Sequence, residues 1–297
     1  MQSIHTKLLE VHYLDLGPQD GWPVILSHGF PYDIHAYDKV SPLLLNSGAR
    51  LIIPYTRGYG ATRFLSPKTM RSGQQAALAT DIIHLMDALG ISKALLAGFD
   101  WGGLASCAAA ALFPDRVAGL VSYAGYDVAN VEEHKRAAAP SLERVMWYQH
   151  LFQSERGREC LRENRRELCK LLWEEWSPYW EGAEAAFERS APAFDNEDFV
   201  DVVIHCYRFH LGSEEGDPGS EHLEKKLAEK PRISVPTITL DGTEDPLKPG
   251  GSSSHASFFT GRHERREVRC GHAFPLEAPE EFAAAIIEVH KWSEGDE

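Results

Sequence analysis

The chain is poor in positive charge and poor in cysteine, and it carries no internal repeat or low-complexity segment. Lys and Arg number 30 against 44 Asp and Glu, so the formal net charge is -14. An acidic surface repels phosphate backbones and anionic lipid heads, which speaks against nucleic acid and membranes as partners. The 5 cysteines, Cys107, Cys160, Cys169, Cys206 and Cys270, form no C-x-x-C pair and no Cys/His ligand spacing. Neither a disulfide framework nor a metal site is expected, and scattered free thiols point to a reducing, cytoplasmic compartment. The first ten residues lack the apolar run of a signal peptide. One apolar stretch, 94–113, is about long enough to cross a bilayer. It is interrupted by Asp100 and three glycines, Gly98, Gly102 and Gly103, and reads better as a buried strand, a sharp turn and a buried helix. With 297 residues, 43% of them apolar, the chain can build one large domain with an insertion.

Short apolar runs at 24–27, 50–54, 94–97 and 117–123 read as strands. Between the second and third, Leu78, Ile82, Leu85, Met86 and Leu89 share one face of a helix over 75–89. A small-residue helix over 102–113 stops near Pro114. Strands alternating with helices predict a parallel sheet covered on both faces. From about 129 to 230 this rhythm stops. Leu161, Leu168, Leu171, Leu172 and Trp176 have helical spacing, as do Phe199, Val203 and Tyr207. Alternation resumes at 235–240 and 266–268, followed by a closing helix over 279–292. The expected organisation is an α/β core domain, 1–128 and 231–297, with a helical cap, 129–230, inserted late in a mostly parallel sheet.

Gly98-Phe99-Asp100-Trp101-Gly102 lies between a strand and a helix, the setting of a nucleophile elbow. Such a turn holds its central residue at strained backbone angles. The side chain then stands above the sheet, near the positive end of the next helix. His272 follows Gly271 in a loop before the last helix, and Asp245 lies just beyond an apolar strand. Nucleophile, acid and histidine then occur in the order an α/β-hydrolase fold requires. Asp241 and Asp127 also stand close enough in the pattern to serve as the acid. A carboxylate nucleophile attacks an sp3 carbon and forms an ester on the enzyme itself, which a histidine-activated water then hydrolyses.

The segments His28-Gly29-Phe30-Pro31, Arg57-Gly58-Tyr59-Gly60, Asp100-Trp101-Gly102-Gly103, Glu244-Asp245 and Gly271-His272 resemble those of the epoxide hydrolases of the α/β-hydrolase superfamily, relatives of the haloalkane dehalogenases. Trp147-Tyr148-Gln149 with Phe152, and Cys206-Tyr207-Arg208, extend the resemblance into the cap. It implies that Tyr148 and Tyr207 grip the oxirane oxygen, with Tyr179 in reserve for Tyr207. It also implies that the backbone N–H groups of Phe30 and Trp101 form the oxyanion hole. The expected reaction opens a small hydrophobic epoxide to a vicinal diol through an alkyl ester on Asp100, hydrolysed by water activated by His272 and Asp245, with no cofactor and no metal. A haloalkane dehalogenase with the same nucleophile and a non-catalytic small-molecule binder are the alternatives. A halide needs donors of its own, and Phe30 has none in its side chain. His28 is expected to brace the loop behind the oxyanion hole, Arg57–Gly60 to form a structural turn, and Trp173, Trp176, Tyr179 and Trp180 to form cap core. His205 and His210 are off the spacing for two metal ligands on one helix face. Residues 294–297 read as a solvated acidic end, and oligomeric state is open.

Overall fold

The computed structural model describes residues 1–295; the last two residues of the acidic end lie outside them. The first part of the chain runs β1 (Gln2–His5), β2 (Leu9–Leu16), β3 (Trp22–Ser27), α1 (Val40–Leu45), β4 (Ala49–Pro54), β5 (Arg63–Phe64), α2 (Gln75–Ala88), β6 (Ala94–Gly98), α3 (Trp101–Leu112) and β7 (Val117–Tyr123). Seven helices follow: α4 (Val131–His134), α5 (Pro140–Val145), α6 (Trp147–Phe152), α7 (Glu155–Trp176), α8 (Ala183–Ser190), α9 (Phe199–His210) and α10 (Glu221–Ala228). The chain then returns through β8 (Thr237–Gly242), β9 (His263–Val268), α11 (Phe274–Glu277) and α12 (Pro279–Glu294).

The strands form one open sheet in the order β1-β2-β4-β3-β6-β7-β8-β9, with β5 on β2. From β4 to β9 every pairing is parallel. Every residue of β6, Ala-Leu-Leu-Ala-Gly, is buried, as a parallel strand covered on both faces requires. Helices α1 and α12 pack together, as do α2 and α3, giving the two covering layers. The six strands expected from apolar runs are all present, with ends moved by a few residues. The N-terminal hairpin was not read from the sequence. There β1 pairs antiparallel with β2, and β2 antiparallel with β4. Its signal is the alternation in β2, where Leu9, Val11 and Tyr13 are buried and charged or partly exposed residues stand between them.

The helices between β7 and β8 bury apolar side chains in a cluster continuous with the core of the sheet. On α7, Leu161, Leu168, Leu172, Trp173 and Trp176 are buried, whereas Leu171 is 41% exposed and leaves the expected stripe. On α9, Phe199, Val203 and Tyr207 are all buried. Hydrogen bonds fasten this segment to the loops above the sheet. The Trp173 indole N–H donates to the Pro31 carbonyl at 2.7 Å, the Asn196 amide to the Gly60 and Thr62 carbonyls, and Ser190 Oγ to Asp33. Among the described residues no helix is long and apolar enough to cross a membrane.

Candidate active site

Asp100 stands between β6 and α3 with φ 52° and ψ -131°, a conformation that costs a non-glycine residue about 1–3 kcal/mol. The surroundings fix it there. A Cβ on Gly102 would run into the backbone of Ser27 and His28, and one on Gly29 would run into the Asp100 carboxylate and the Trp101 amide nitrogen. The two glycines thus let β3 and its loop close onto the turn. The Phe30 N–H donates to Asp100 Oδ1 at 2.6 Å. The Phe30–Pro31 peptide is cis.

His272 sits in the loop between β9 and α11. Its Nε2 lies 3.3 Å from Asp100 Oδ2 and its Nδ1 lies 2.8 Å from Asp245 Oδ2. The three side chains that the sequence placed in order are therefore in contact. Asp245 Oδ2 also accepts from the Tyr123 hydroxyl at 2.7 Å, and Oδ1 accepts from the Leu247 N–H at 2.8 Å. Burial pushes the Asp245 carboxyl up, but the His272 charge and these donors outweigh it and the group stays below the usual carboxylate range. Burial likewise pulls His272 down. The Asp245 charge, hydrogen bonds to Asp100 and Asp245, and the Asp100 charge together overcome this and raise the imidazole to about 10. His272 thus holds a proton at neutral pH. The other two acids lie elsewhere: Asp127 pairs with Lys248 at 3.1 Å, and Asp241 is held by Arg265 at 2.5 Å and by Ser252.

Aromatic rings from the inserted helices close the site. Tyr148 from α6 and Tyr207 from α9 are both buried, their ring centroids 5.3 Å apart and perpendicular. Both pack on Phe30, at 6.4 and 5.6 Å, and Tyr207 lies 5.5 Å from Trp101. Arg208 Nε donates to the Phe152 carbonyl at 3.0 Å, which locks α9 to α6 and keeps the two phenols side by side. The Tyr148 hydroxyl accepts from Gln149 Nε2 at 3.0 Å. Burial raises both phenols above their ordinary value, so both keep their protons. Tyr179 is 76% exposed and belongs to the surface, so neither the reserve role nor the cap core fits it. Among these buried neighbours the Asp100 side chain keeps 12% of its surface accessible.

His28 is fully buried. Its Nε2 accepts from the Thr56 N–H at 3.2 Å, leaving Nδ1–H for the Gly29 carbonyl at 3.1 Å, and burial lowers its pKa to about 4. A neutral imidazole in that tautomer ties the loop after β3 to the loop after β4. Arg57 is likewise structural, with two hydrogen bonds to Asp81 and one to the Ser72 carbonyl. His205 accepts from the Gly73 N–H at 3.0 Å. Two neighbours of the site were missed in the sequence. Tyr123 ends a buried strand and gave no signal beyond that. Trp176 was read as cap core, yet its ring lies 5.2 Å from His272 and 5.2 Å from Tyr148, and its indole nitrogen is buried without a hydrogen-bond partner.

A strained carboxylate at an elbow, with a buried His–Asp pair beside it, is the site of an α/β hydrolase. A model of the alpha/beta hydrolase fold matches residues 23–279, and the chain belongs to that family. The crystal structure of a candidate epoxide hydrolase from Klebsiella pneumoniae subsp. pneumoniae superposes with a TM-score of 0.95 at 43% identity, over 98% of this chain and 97% of that one. Epoxide hydrolase B of Mycobacterium tuberculosis is 30% identical over 179 residues, 53% of this chain and 49% of its own length. A haloalkane dehalogenase of Psychrobacter cryohalolentis is 36% identical over 110 residues, 37% of this chain and 36% of its own. The chain thus spans about a third to a half of the length of these curated relatives.

Proposed function

We propose that the protein hydrolyses small apolar epoxides to vicinal diols through an alkyl ester on Asp100, with 1–128 and 231–297 as catalytic core and 129–230 as its cap. The observation that carries this is the pair of buried phenols, Tyr148 and Tyr207, packed together on Phe30, whose N–H holds Asp100, with Tyr207 also against Trp101. Asp100 Oδ2 attacks a ring carbon, the C–O bond breaks, and its electron pair goes to oxygen, which takes a proton from one of the phenols. Oδ1, already held by the Phe30 N–H, becomes the ester carbonyl. The Trp101 N–H is the second donor for the oxyanion that forms there in the next step.

The proton on His272 fits this order. Alkylation turns the Asp100 carboxylate into a neutral ester and removes one of the two anions that hold the imidazolium. Its pKa falls, its proton returns to the phenolate, and the neutral Nε2 then takes a proton from water as the water attacks the ester carbon. Collapse of the tetrahedral species breaks the bond between the Asp100 carboxyl carbon and Oδ2, which leaves on the substrate. The alkoxide takes the remaining proton of the added water and departs as the diol, while the water oxygen stays in the restored carboxylate and His272 keeps its proton.

The test is intact mass spectrometry with a panel of epoxides. His272→Gln should be alkylated on Asp100 and stall there, whereas Asp100→Ala should form no adduct and show no turnover. Steady turnover by Asp100→Ala would sink the proposal. The orphan indole N–H of Trp176 favours a second reading, dehalogenation, because with the Trp101 indole it would give a leaving halide two donors. Release of halide from haloalkanes by wild type, lost in Trp176→Phe, with no turnover of the epoxide panel, would support that reading instead.

A further inference from the structure

We infer that Glu277 is a positioning residue for His272 and that, with Ser177 and Trp176, it couples the seating of the inserted helices to the placement of the histidine. This rests on His272 acting as the base of the second step. The three amides of residues 271–273 lie between β9 and α11, outside any ladder, and all three are held. The Gly271 N–H donates to Glu277 Oε2 at 2.8 Å and the Ala273 N–H to Glu277 Oε1 at 3.1 Å. The His272 N–H donates to the Trp176 carbonyl at 3.1 Å. Ser177 Oγ donates to Glu277 Oε1 at 2.6 Å and accepts from the Ala273 N–H at 3.2 Å. One carboxylate thus clamps the amides on both sides of His272, and the third amide is held by the end of α7.

The chemistry of the clamp calls for a carboxylate. Three donors converge on its two oxygens, and an ionised carboxylate only accepts. An amide in the same place would turn an NH2 toward one or more of those donors in either orientation. The α7 end also sits directly on the loop, since a Cβ on Gly271 would press on the Trp176 carbonyl, Ser177 and Glu277 Oε1. Trp176 therefore holds His272 twice, by its carbonyl on the backbone and by its ring on the imidazole at 5.2 Å. A shift of α7 carries the loop with it. The two half-reactions feel such a shift unequally. Attack by Asp100 uses the elbow and the phenols, to which Glu277 and Ser177 make no hydrogen bond, and of this group only the Trp176 ring reaches a phenol, Tyr148 at 5.2 Å. Hydrolysis needs His272 Nε2 within reach of a water at the ester carbon, and a misplacement of about 1 Å can cost about a hundredfold.

The experiment is single-turnover rapid quench with intact-mass readout on the full chain, comparing Glu277→Gln with wild type and with His272→Gln. Glu277→Gln should form the Asp100 ester at a rate within about twofold of wild type and hydrolyse it about tenfold to a hundredfold more slowly, so that the adduct accumulates and kcat falls more than kcat/KM. Ser177→Ala leaves the carboxylate in place and should show the same split in smaller measure, which keeps the test open if Glu277→Gln does not fold. Wild-type hydrolysis in both variants, or equal slowing of both steps with a lowered Tm, overturns the clamp. If His272→Gln itself accumulates no ester, the assignment of His272 fails and the inference falls with it. An ester that accumulates in His272→Gln but in neither clamp variant overturns the inference alone.

Discussion

The sheet and the inserted helices hold the side chains of the proposed site by different means. Asp100, Asp245 and His272 stand on loops at strand ends, and each is fixed by backbone groups or by another buried charge. Asp100 has a strained φ and the Phe30 N–H, Asp245 has the Leu247 N–H and Tyr123, and His272 has the Glu277 clamp. Tyr148, Tyr207 and Trp176 project from helices and are placed mainly by ring on ring, with Arg208 and Gln153 tying α9 to its neighbour. Groups fixed by backbone have one geometry or none. Groups fixed by ring packing can share work and substitute for one another. Losses in the core should therefore be steep and losses in the insertion graded.

The largest effect is expected at Asp245. An Asn there would turn a donor or a neutral carbonyl toward His272 Nδ1, lose the charge that supports the imidazolium, and favour the wrong tautomer. By analogy with the serine-protease acid, Asp245→Asn should cost about 10⁴-fold in turnover. The imidazole should also fall from about 10 toward its ordinary value, because the Asp245 charge is the largest influence raising it. Asp127→Asn and Asp241→Asn should keep most of their activity, since Lys248 and Arg265 occupy those carboxylates. Initial rates of the three variants decide the matter. A loss confined to Asp127→Asn or Asp241→Asn would move the acid there and leave the contact at 2.8 Å without a catalytic purpose.

The graded half of the comparison is tested by the phenols. A donor aimed at a developing alkoxide supplies about 2.7–4 kcal/mol by analogy with single oxyanion-hole donors. If the two share the leaving oxygen, Tyr148→Phe or Tyr207→Phe alone should weaken epoxide turnover, and the double variant should nearly end it. Any haloalkane turnover should suffer far less, because a halide leaves without a proton. Epoxide hydrolysis unchanged in the double variant would show that the rings only pack.

The same division explains what could be read from sequence. Asp100 and His272 were legible because a tight glycine turn between strand and helix, and a histidine late in the chain, leave local marks. Asp245 was legible only as one of three acids, and geometry was needed to set Asp127 and Asp241 apart. Tyr148 and Tyr207 came from family resemblance, since an aromatic on an amphipathic helix shows the same spacing whether it faces a core or a pocket. For that reason Trp176 read as core alone, which it is, with no sign that it also touches His272, and Leu171 shared the helical spacing of its neighbours although it is exposed. Glu277 and Ser177 act on backbone amides, which carry no side-chain identity to match. The hairpin of β1 and β2 was passed over although Leu9, Val11 and Tyr13 alternate, because Glu10, His12 and Asp15 make the segment look like a polar lead-in.

The smallest effect concerns the seam between the two regions, and it is read in stability rather than rate. Asp33 lies in the loop after β3, almost fully buried, and accepts from Ser190 Oγ at the end of α8 and from the His35 N–H at 3.0 Å. Burial raises its carboxyl to about 6, with the Ser190 and His35 donors and the His35 charge opposing and the Asp38 charge assisting. The sign follows from linkage. The folded value lies above the unfolded one, so this group's contribution to stability is fully present below about 4 and is lost as the pH rises through about 6. An Asn keeps an acceptor for both donors and does not titrate. Asp33→Asn should therefore gain on wild type between pH 4 and pH 7, by about 1–3 kcal/mol, since each tenfold difference in proton affinity between folded and unfolded chains is worth about 1.4 kcal/mol. Titrating groups that do not face Asp33 are common to the two proteins and cancel in the difference, whereas His35, whose imidazole is raised by Asp38 first and by Asp33 in part, adds a small change of its own. The measurement is Tm against pH for both, compared as a difference curve. A difference that is flat from pH 4 to pH 7 would mean that Asp33 ionises as freely in the folded chain as in the unfolded one, and that the seam is wetter than its burial implies.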